Sequence, residues 1–255
     1  MKQNSVVEAF WKDAYSELDD GGYISNNSKI NGYRFLVEEE ALKAFIEEYI
    51  PKNRRGRALD IGCGNGRFTE VMADYFDSVD GIDIAGSIIE KNTLKNQYKN
   101  ILYYNNDLEQ FAQESSFTYD FIYVGGVLMY ILDEKIEASY HLLDKLLNSN
   151  GKLILRESVM TKERVDNISD SYVAYYRAKD FYAKEDFFKI LTMKENLAYR
   201  VGELNGVLNR LKMGFLFQSN IYKKLLVCLK CKDLFWKPRL NKLVNYYYIF
   251  TKSHR

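Results

Sequence analysis

Asp60, Gly62, Gly64 and Gly66 stand at alternate positions in ALDIGCGNGRFTE, residues 58–70. Glycine loses more backbone freedom on folding than any other residue, so three of them in such a short stretch imply a backbone that approaches another body closely. If a strand ends there and a helix begins, backbone N–H groups and the helix dipole favour a bound anion. Asp60 favours the opposite, a cationic or donor group. A ligand carrying both an ammonium and a carboxylate satisfies both demands. Asp83 lies 23 residues after Asp60, and Asp107 another 24 residues on. At a second strand end, Asp83 can accept both hydroxyls of a ribose. At a third, Asp107 can accept from the amino group of an adenine, with the Leu108 backbone reaching the ring edge. Each acid alone is more often a surface or capping residue. Three in phase with three strand ends are hard to reconcile with chance.

The elements that must position these acids follow from periodicity. Phe35, Leu42, Phe45, Ile46, Tyr49 and Ile50 have helical spacing and stop at Pro51. RALDIG reads as a short buried strand. Phe68, Val71, Met72, Tyr75 and Phe76 then mark an amphipathic helix. SVDGIDI, NILYYNND, YDFIYVGG and KLILRES read as four further strands, with helices over 86–97 and 133–147. In the second of these helices Ile136, Tyr140, Leu143 and Leu147 share a face. Strands alternating with helices at this spacing predict an α/β fold: a parallel sheet with helices on both faces. Residues 158–183 break the alternation and read as an aromatic insertion. KEDFFKILTMK reads as a helix, LAYRVGE as a strand, and LVNYYYIFTK as the last strand. The predicted organisation is one domain spanning 1–255. It comprises an N-terminal cap (1–34), a core (35–157), the insertion (158–183), the rest of the core (184–204 and 241–252) and a basic insertion (205–240).

Composition sets the class. The 255 residues are 47% hydrophobic and 28% charged, as in ordinary globular proteins. The N-terminus has no apolar leader core, and no run approaches 18 apolar residues, so a cytoplasmic protein is expected. Cys63, Cys228 and Cys231 do not form a disulfide framework. The pair Cys228 and Cys231 lacks the second pair or histidine that would complete a metal site, so no metal is expected. His141 lies mid-helix and His254 in the tail, away from the strand ends. Two prolines, with many lysines and asparagines, fit an AT-rich bacterial genome. The net charge of +1 hides an asymmetry: residues 205–255 carry +10 and the remainder −9. Such a segment is either a solvated lysine-rich face or an attractor of anionic substrates and surfaces.

S-adenosylmethionine carries the ammonium–carboxylate pair that the glycine turn calls for. LDIGCGNGRF, GIDIAGSIIE, NNDLEQF, YDFIYVGGVLMYI and LLNSNGKLILRES resemble, in order, the successive motifs of class I S-adenosylmethionine-dependent methyltransferases. The resemblance implies a Rossmann-like, seven-stranded, mostly parallel sheet with an antiparallel last strand. It also implies that Asp60, Gly62 and Gly64 hold the amino-acid end of the cofactor and Asp83 its ribose. Ile84 would lie against the adenine, and Asp107 and Leu108 would bind it. Gly125 would offer its carbonyl to the amino group, and Arg34 would meet the carboxylate. A nicotinamide dehydrogenase fits poorly, because the third glycine of G-x-G-x-x-G comes one position early and Arg67 stands in its place.

Methyl transfer from a sulfonium is an in-line displacement, and a base helps only where the acceptor must lose a proton. Candidates lie beyond the fourth and fifth strands: Tyr130, and one of Arg156 and Glu157, since alternation points only one of them toward the site, with Glu157 preferred as base or acceptor-orienting group. Tyr172, Tyr175, Tyr176 and Arg177 could stack on a sugar or base and bind phosphate; they could equally be a lid that packs through the same rings. With the basic segment they suggest a small anionic acceptor. The layout is similar to bacterial methyltransferases that act on nucleotide-linked or phosphorylated precursors of surface polysaccharide, O-methylation being favoured. The product would be S-adenosylhomocysteine. The alternatives are an RNA methyltransferase using the basic segment, and a cofactor-binding scaffold resting on an anionic membrane through 205–240.

Overall fold

The computed structural model describes residues 2–13, 28–170, 172–183, 187–199 and 242–253. After the helices α1 (Lys2–Asp13) and α2 (Ser28–Tyr49), the expected alternation begins. It runs β1 (Arg57–Ile61), α3 (Arg67–Ala73), β2 (Ser78–Ile82), α4 (Gly86–Lys95), β3 (Ile101–Tyr104) and α5 (Leu108–Glu114). Then come β4 (Tyr119–Gly125), α6 (Asp133–Leu146) and β5 (Leu147–Met160). The hairpin β6 (Val165–Ile168) and β7 (Val173–Tyr176) precedes β8 (Phe188–Glu195) and β9 (Leu243–Lys252).

Seven strands form one sheet in the order β3-β2-β1-β4-β5-β9-β8, in which β9 runs antiparallel to both neighbours. Strand order reverses between β1 and β4, which pair in parallel from Ala58 opposite Phe121 to Ile61 opposite Val124. A crevice beyond the carboxyl ends of these two strands is where an open α/β sheet binds ligands.

Both faces of the sheet are covered, and alternation assigns each strand residue to one of them. Leu153, Leu155 and Val159 of β5 join Phe111, Ile136, Tyr140 and Leu143 on the α5–α6 side. Ile154 joins Phe35, Leu42, Phe45 and Ile46 of α2 on the other. Odd-numbered residues here therefore face α6 and even-numbered ones face α2, which decides between Arg156 and Glu157. Two glycine positions are fixed sterically. Gly62 (φ +70°) has no room for a Cβ, which would fall 2.4 Å from Val127 Cγ2. At Gly66 (φ +80°) one would meet the Tyr103 hydroxyl at 2.5 Å.

The structure corrects the reading of 184–203. The segment expected to be helical holds strand β8, paired with β9 from Phe188 opposite Lys252 to Glu195 opposite Tyr246. Its apolar residues satisfy helical and strand spacing equally well, and non-local pairing decides. The expected strand LAYRVGE begins as a 3-10 turn, Leu197–Tyr199. The aromatic stretch 158–183 is packed into the fold: Val173, Ala174 and Tyr175 are buried, and the Met160 and Lys179 N–H groups donate to the carbonyls of Arg177 and Met160. The basic segment 205–240, Cys228, Cys231 and His254 lie outside the described residues. Among the described residues, no helix is long and apolar enough to cross a membrane.

Candidate functional site

A cavity of about 260 Å³ opens at the reversal point of the sheet. Gly62, Cys63, Gly64 and Asn65 form one wall, Asp83 and Ile84 a second, and Asn106, Asp107 and Leu108 a third. Gly125 through Ile131, from the end of β4 and the turn after it, complete the floor. Seven of the nine residues expected to hold the cofactor thus meet around one space: Gly62, Gly64, Asp83, Ile84, Asp107, Leu108 and Gly125.

The hydrogen bonds explain how the acids are held. The Asp83 carboxylate accepts from the Gly64 N–H at 3.0 Å and the Ala85 N–H at 2.9 Å, which ties the glycine turn to β2. Burial raises the Asp83 pKa against those two bonds. Asp107 caps α5, accepting from the Gln110 N–H at 2.7 Å, and stays exposed at the rim. Asp60 is 1% exposed and does not line the cavity; it accepts from Thr69 Oγ1 at 2.7 Å beneath the turn. Its carboxylate thus braces the helix that follows the glycine turn. Burial, opposed by the Thr69 bond and reinforced by Asp83, pushes its pKa up to about 7.

That shift has a signed consequence. A folded pKa of about 7 lies above the ordinary aspartate value, so the folded state keeps a proton that the unfolded chain loses. The stabilisation is complete below about pH 4 and disappears as pH rises through 7. Thermal melts are expected to show a midpoint that falls over this range in the native sequence and a shallower fall in Asp60→Asn. Identical slopes would contradict it.

Most N–H groups of the turn have acceptors within the chain. The N–H groups of Gly62 and Cys63 donate to Ile82 O, that of Gly64 to Asp83, that of Gly66 to Cys63 O and that of Arg67 to Asn65 Oδ1. The helix that follows is only seven residues long. Arg34, expected to meet the carboxylate, does not line the cavity. The cavity does meet a cation from another element, Arg156, which alternation places on the α2 face together with Ser158.

Glu157, the expected base, points to the α6 face and is fully buried. Its carboxylate accepts from the N–H groups of Val127 (3.1 Å), Leu128 (2.9 Å) and Met129 (3.2 Å), anchoring the turn after β4. Burial raises its pKa to about 7 against those bonds. Tyr130 does line the cavity. Its ring packs edge-on against Trp11 of α1 at 5.1 Å, and its hydroxyl lies 3.1 Å from that of Tyr172. Tyr172 and Tyr176, 3.4 Å apart through their hydroxyls, stand behind Tyr130 rather than in the cavity. Arg177 is 1% exposed and bound to Asp133, Leu128 O, Ile131 O and the Tyr182 hydroxyl. It is a buried strut and cannot meet an acceptor phosphate.

Sequence reasoning missed Val7 and Trp11, which bring α1 over the cavity, and Phe35, Phe68 and Tyr123 on its α2 side. Trp11 also packs against Ala85 and Ile88. The residues present fit S-adenosylmethionine: acids at the ends of β2 and β3, apolar Ile84 and Leu108 for a purine, and the Gly125 backbone share one space. Bound, that cofactor supplies a methyl group on a sulfonium.

A family profile described as NodS, nodulation protein S, matches residues 29–165, more than half of the chain. Phosphoethanolamine N-methyltransferase 1 of Caenorhabditis elegans is 31% identical over 153 residues, covering 59% of this chain and 30% of its own. The Triticum aestivum enzyme of the same name is 30% identical over 189 residues, covering 71% of this chain and 36% of its own. The chain thus spans about a third of the length of these curated relatives. Magnesium protoporphyrin IX methyltransferase from Synechocystis, solved with bound S-adenosylmethionine, superposes with a TM-score of 0.60 at 15% identity. That match covers 99% of this chain and 98% of the other, and it shows the shared fold. With a profile match over its first five strands and a sheet whose last strand in chain order is reversed, the chain belongs to the NodS family of class I S-adenosylmethionine-dependent methyltransferases.

Proposed function

We propose that the chain transfers the methyl group of S-adenosylmethionine to a small, phosphate-bearing acceptor seated beneath α1. The observation that carries this reading is one continuous cavity. At one end stand Gly62, Gly64, Asp83 and Asp107; the rings of Trp11 and Tyr130 close it. Asp83 and Asp107 bind the ribose and adenine, and the Gly125 carbonyl takes the amino group. Trp11 and Tyr130 cover the reacting atoms from water and hold the acceptor in line, a contribution worth about 7–11 kcal/mol of barrier in well-oriented reactions.

The acceptor atom follows from the polar groups at hand. An alcohol needs a base, worth about 10²–10⁴-fold. Glu157 is turned away from the cavity and bound to three N–H groups, so it cannot serve. Tyr130 lines the cavity and can orient an acceptor through its hydroxyl. An unprotonated nitrogen needs no base from the protein. The names of the curated relatives, phosphoethanolamine N-methyltransferases, support an amine on a small phosphate ester. The oxygen acceptor expected from the sequence, a sugar in a phosphorylated or nucleotide-linked surface-polysaccharide precursor, ranks second; the Trp11 and Tyr130 faces give it a stacking wall.

The test is incubation with labelled methyl donor and a panel of phosphorylated amines, nucleotide sugars and RNA. A mass gain of about 14 on a phosphorylated amine is expected, as one CH₂ requires for this reaction class. Label found only in RNA would overturn the reading.

A further inference from the structure

Methyl transfer from a sulfonium to a primary amine releases one proton. The amine arrives as an ammonium, since such groups ordinarily hold their proton up to about pH 10, and the nitrogen can attack only after losing it. The C–N bond then forms as the S–CH₃ bond breaks, and the electron pair of the broken bond stays on sulfur. With Trp11 and Tyr130 closing the cavity, the proton needs a route to solvent through the wall. We propose that Tyr130, Tyr172 and Tyr176 form this route, a row of phenols that carries the acceptor's proton from the cavity to the outer edge of the β6–β7 hairpin. Tyr130 touches the acceptor, and Tyr172 and Tyr176 act through it. The proposal rests on the amine-acceptor reading above.

The first support is continuity. Tyr130 lines the cavity, and its hydroxyl lies 3.1 Å from that of Tyr172, which lies 3.4 Å from that of Tyr176. In both contacts either oxygen can donate, so a proton can enter at one end while another leaves at the other. Distances in such chains often shorten in the reacting complex. The ammonium proton moves to Tyr130 Oη as the Tyr130 proton moves to Tyr172, the Tyr172 proton to Tyr176 and the Tyr176 proton to water. Each phenol ends with one hydrogen, as it began. At the outer end the side chain of Asn167, an exposed residue of β6, acts on the Tyr176 phenol. Burial, and after it the Tyr172 hydroxyl, hold that phenol above its ordinary value, so it stays neutral and passes protons on.

The second support is that the row is held from both ends. The turn carrying Tyr130 is clamped by two buried groups of opposite charge. Glu157 accepts from the N–H groups of Val127, Leu128 and Met129, and Arg177 donates to Leu128 O at 2.8 Å and to Ile131 O. Arg177 directly follows Tyr176 in the chain, so one residue ties the inner end of the row to the outer. The Tyr172 ring packs edge-on against Phe10 at 5.0 Å and against Tyr130 at 6.0 Å. α1 meets the row through the rings of Phe10 and Trp11. The charged groups packed about the hairpin, Asp166, Arg164, Arg177 and Glu134 of α6, act on Tyr175, which alternation turns to the opposite face from Tyr176.

The test is a pH series of kcat on the full chain. The acceptor is 2-aminoethyl phosphate, the simplest phosphorylated primary amine, or whichever such amine of the panel takes the label. Tyr172→Phe removes one hydroxyl and keeps the ring. It is expected to lower kcat about 100-fold near pH 7, the lower end of what a positioned proton-transfer group contributes, with acceptor KM and affinity for S-adenosylhomocysteine unchanged. Raising the pH toward about 10 should recover most of that loss, because the amine then arrives without its extra proton. A packing defect would show no such recovery. Tyr176→Phe should behave alike, and it decides should Tyr172→Phe fail to fold, which S-adenosylhomocysteine binding reports. A native-like kcat at neutral pH in the deciding variant would overturn the proposal, as would a loss that persists undiminished at high pH. A native protein that methylates no amine would instead sink the reading on which the proposal rests.

Discussion

Replacing Glu157 by alanine is expected to cost about 3–5 kcal/mol of stability, because it removes a buried charged partner and strands the donors it served. The N–H groups of Val127, Leu128 and Met129 all point at its two oxygens, and nothing else is shown to accept from them. For a chain of this size that is a drop in melting temperature of about 10 °C or more. Differential scanning calorimetry reads it directly. The same turn carries Tyr130 and the cavity floor, so affinity for S-adenosylhomocysteine should fall as well. A base would behave otherwise: Glu157→Gln would melt normally, bind ligand normally and lose only kcat. That outcome would return Glu157 to the chemistry and remove it from the architecture.

Asp83→Ala is the second large effect, an expected loss of about 100-fold in affinity for S-adenosylhomocysteine. Each carboxylate oxygen accepts one N–H, from Gly64 and from Ala85, at the cavity wall, and an ionised carboxylate oxygen can accept more than one hydrogen bond. Hydrogen bonds to a charged group contribute about 1.5–3 kcal/mol each, so losing two of them alone accounts for the figure. Releasing the glycine turn adds to it. This variant should weaken 5′-methylthioadenosine, which keeps the adenosine and lacks the amino-acid end, to the same extent, since both ligands carry the ribose. Titrations of both ligands that matched the native curves would leave Asp83 with no role beyond closing the turn.

The first five strands and the acids at their tips were legible because each strand is a short buried run bounded by glycine, asparagine or aspartate. These signals are local and survive without tertiary context. β8 was not legible, since Phe187, Phe188, Ile190, Leu191 and Met193 suit either period and its partner β9 lies about fifty residues on. Arg156 and Glu157 could not be sorted from sequence because β5 is buried on both faces, so no polar side marks its orientation. Arg177 misled for a related reason. Arginine is rarely buried, and two of the groups that hold it are main-chain carbonyls, invisible to any pattern of residue types. Trp11 reaches the cavity from the far N-terminus, and no spacing rule reports such a contact.

β8 and β9 carry a wider implication. The chain departs after the turn at Leu197–Tyr199 and returns at Lys242, and its two stumps are stitched together where the Asn196 N–H meets Asn245 O at 2.8 Å. β9 starts with Leu243 opposite Met160, at the end of β5 that also presents Arg156 and Ser158 to the cavity. Doubling the length of such an excursion costs only about 0.6 kcal/mol in closure entropy. The length of chain between these two strands can therefore change at little cost while the β8–β9 and β5–β9 registers, and the sheet edge they complete, stay intact.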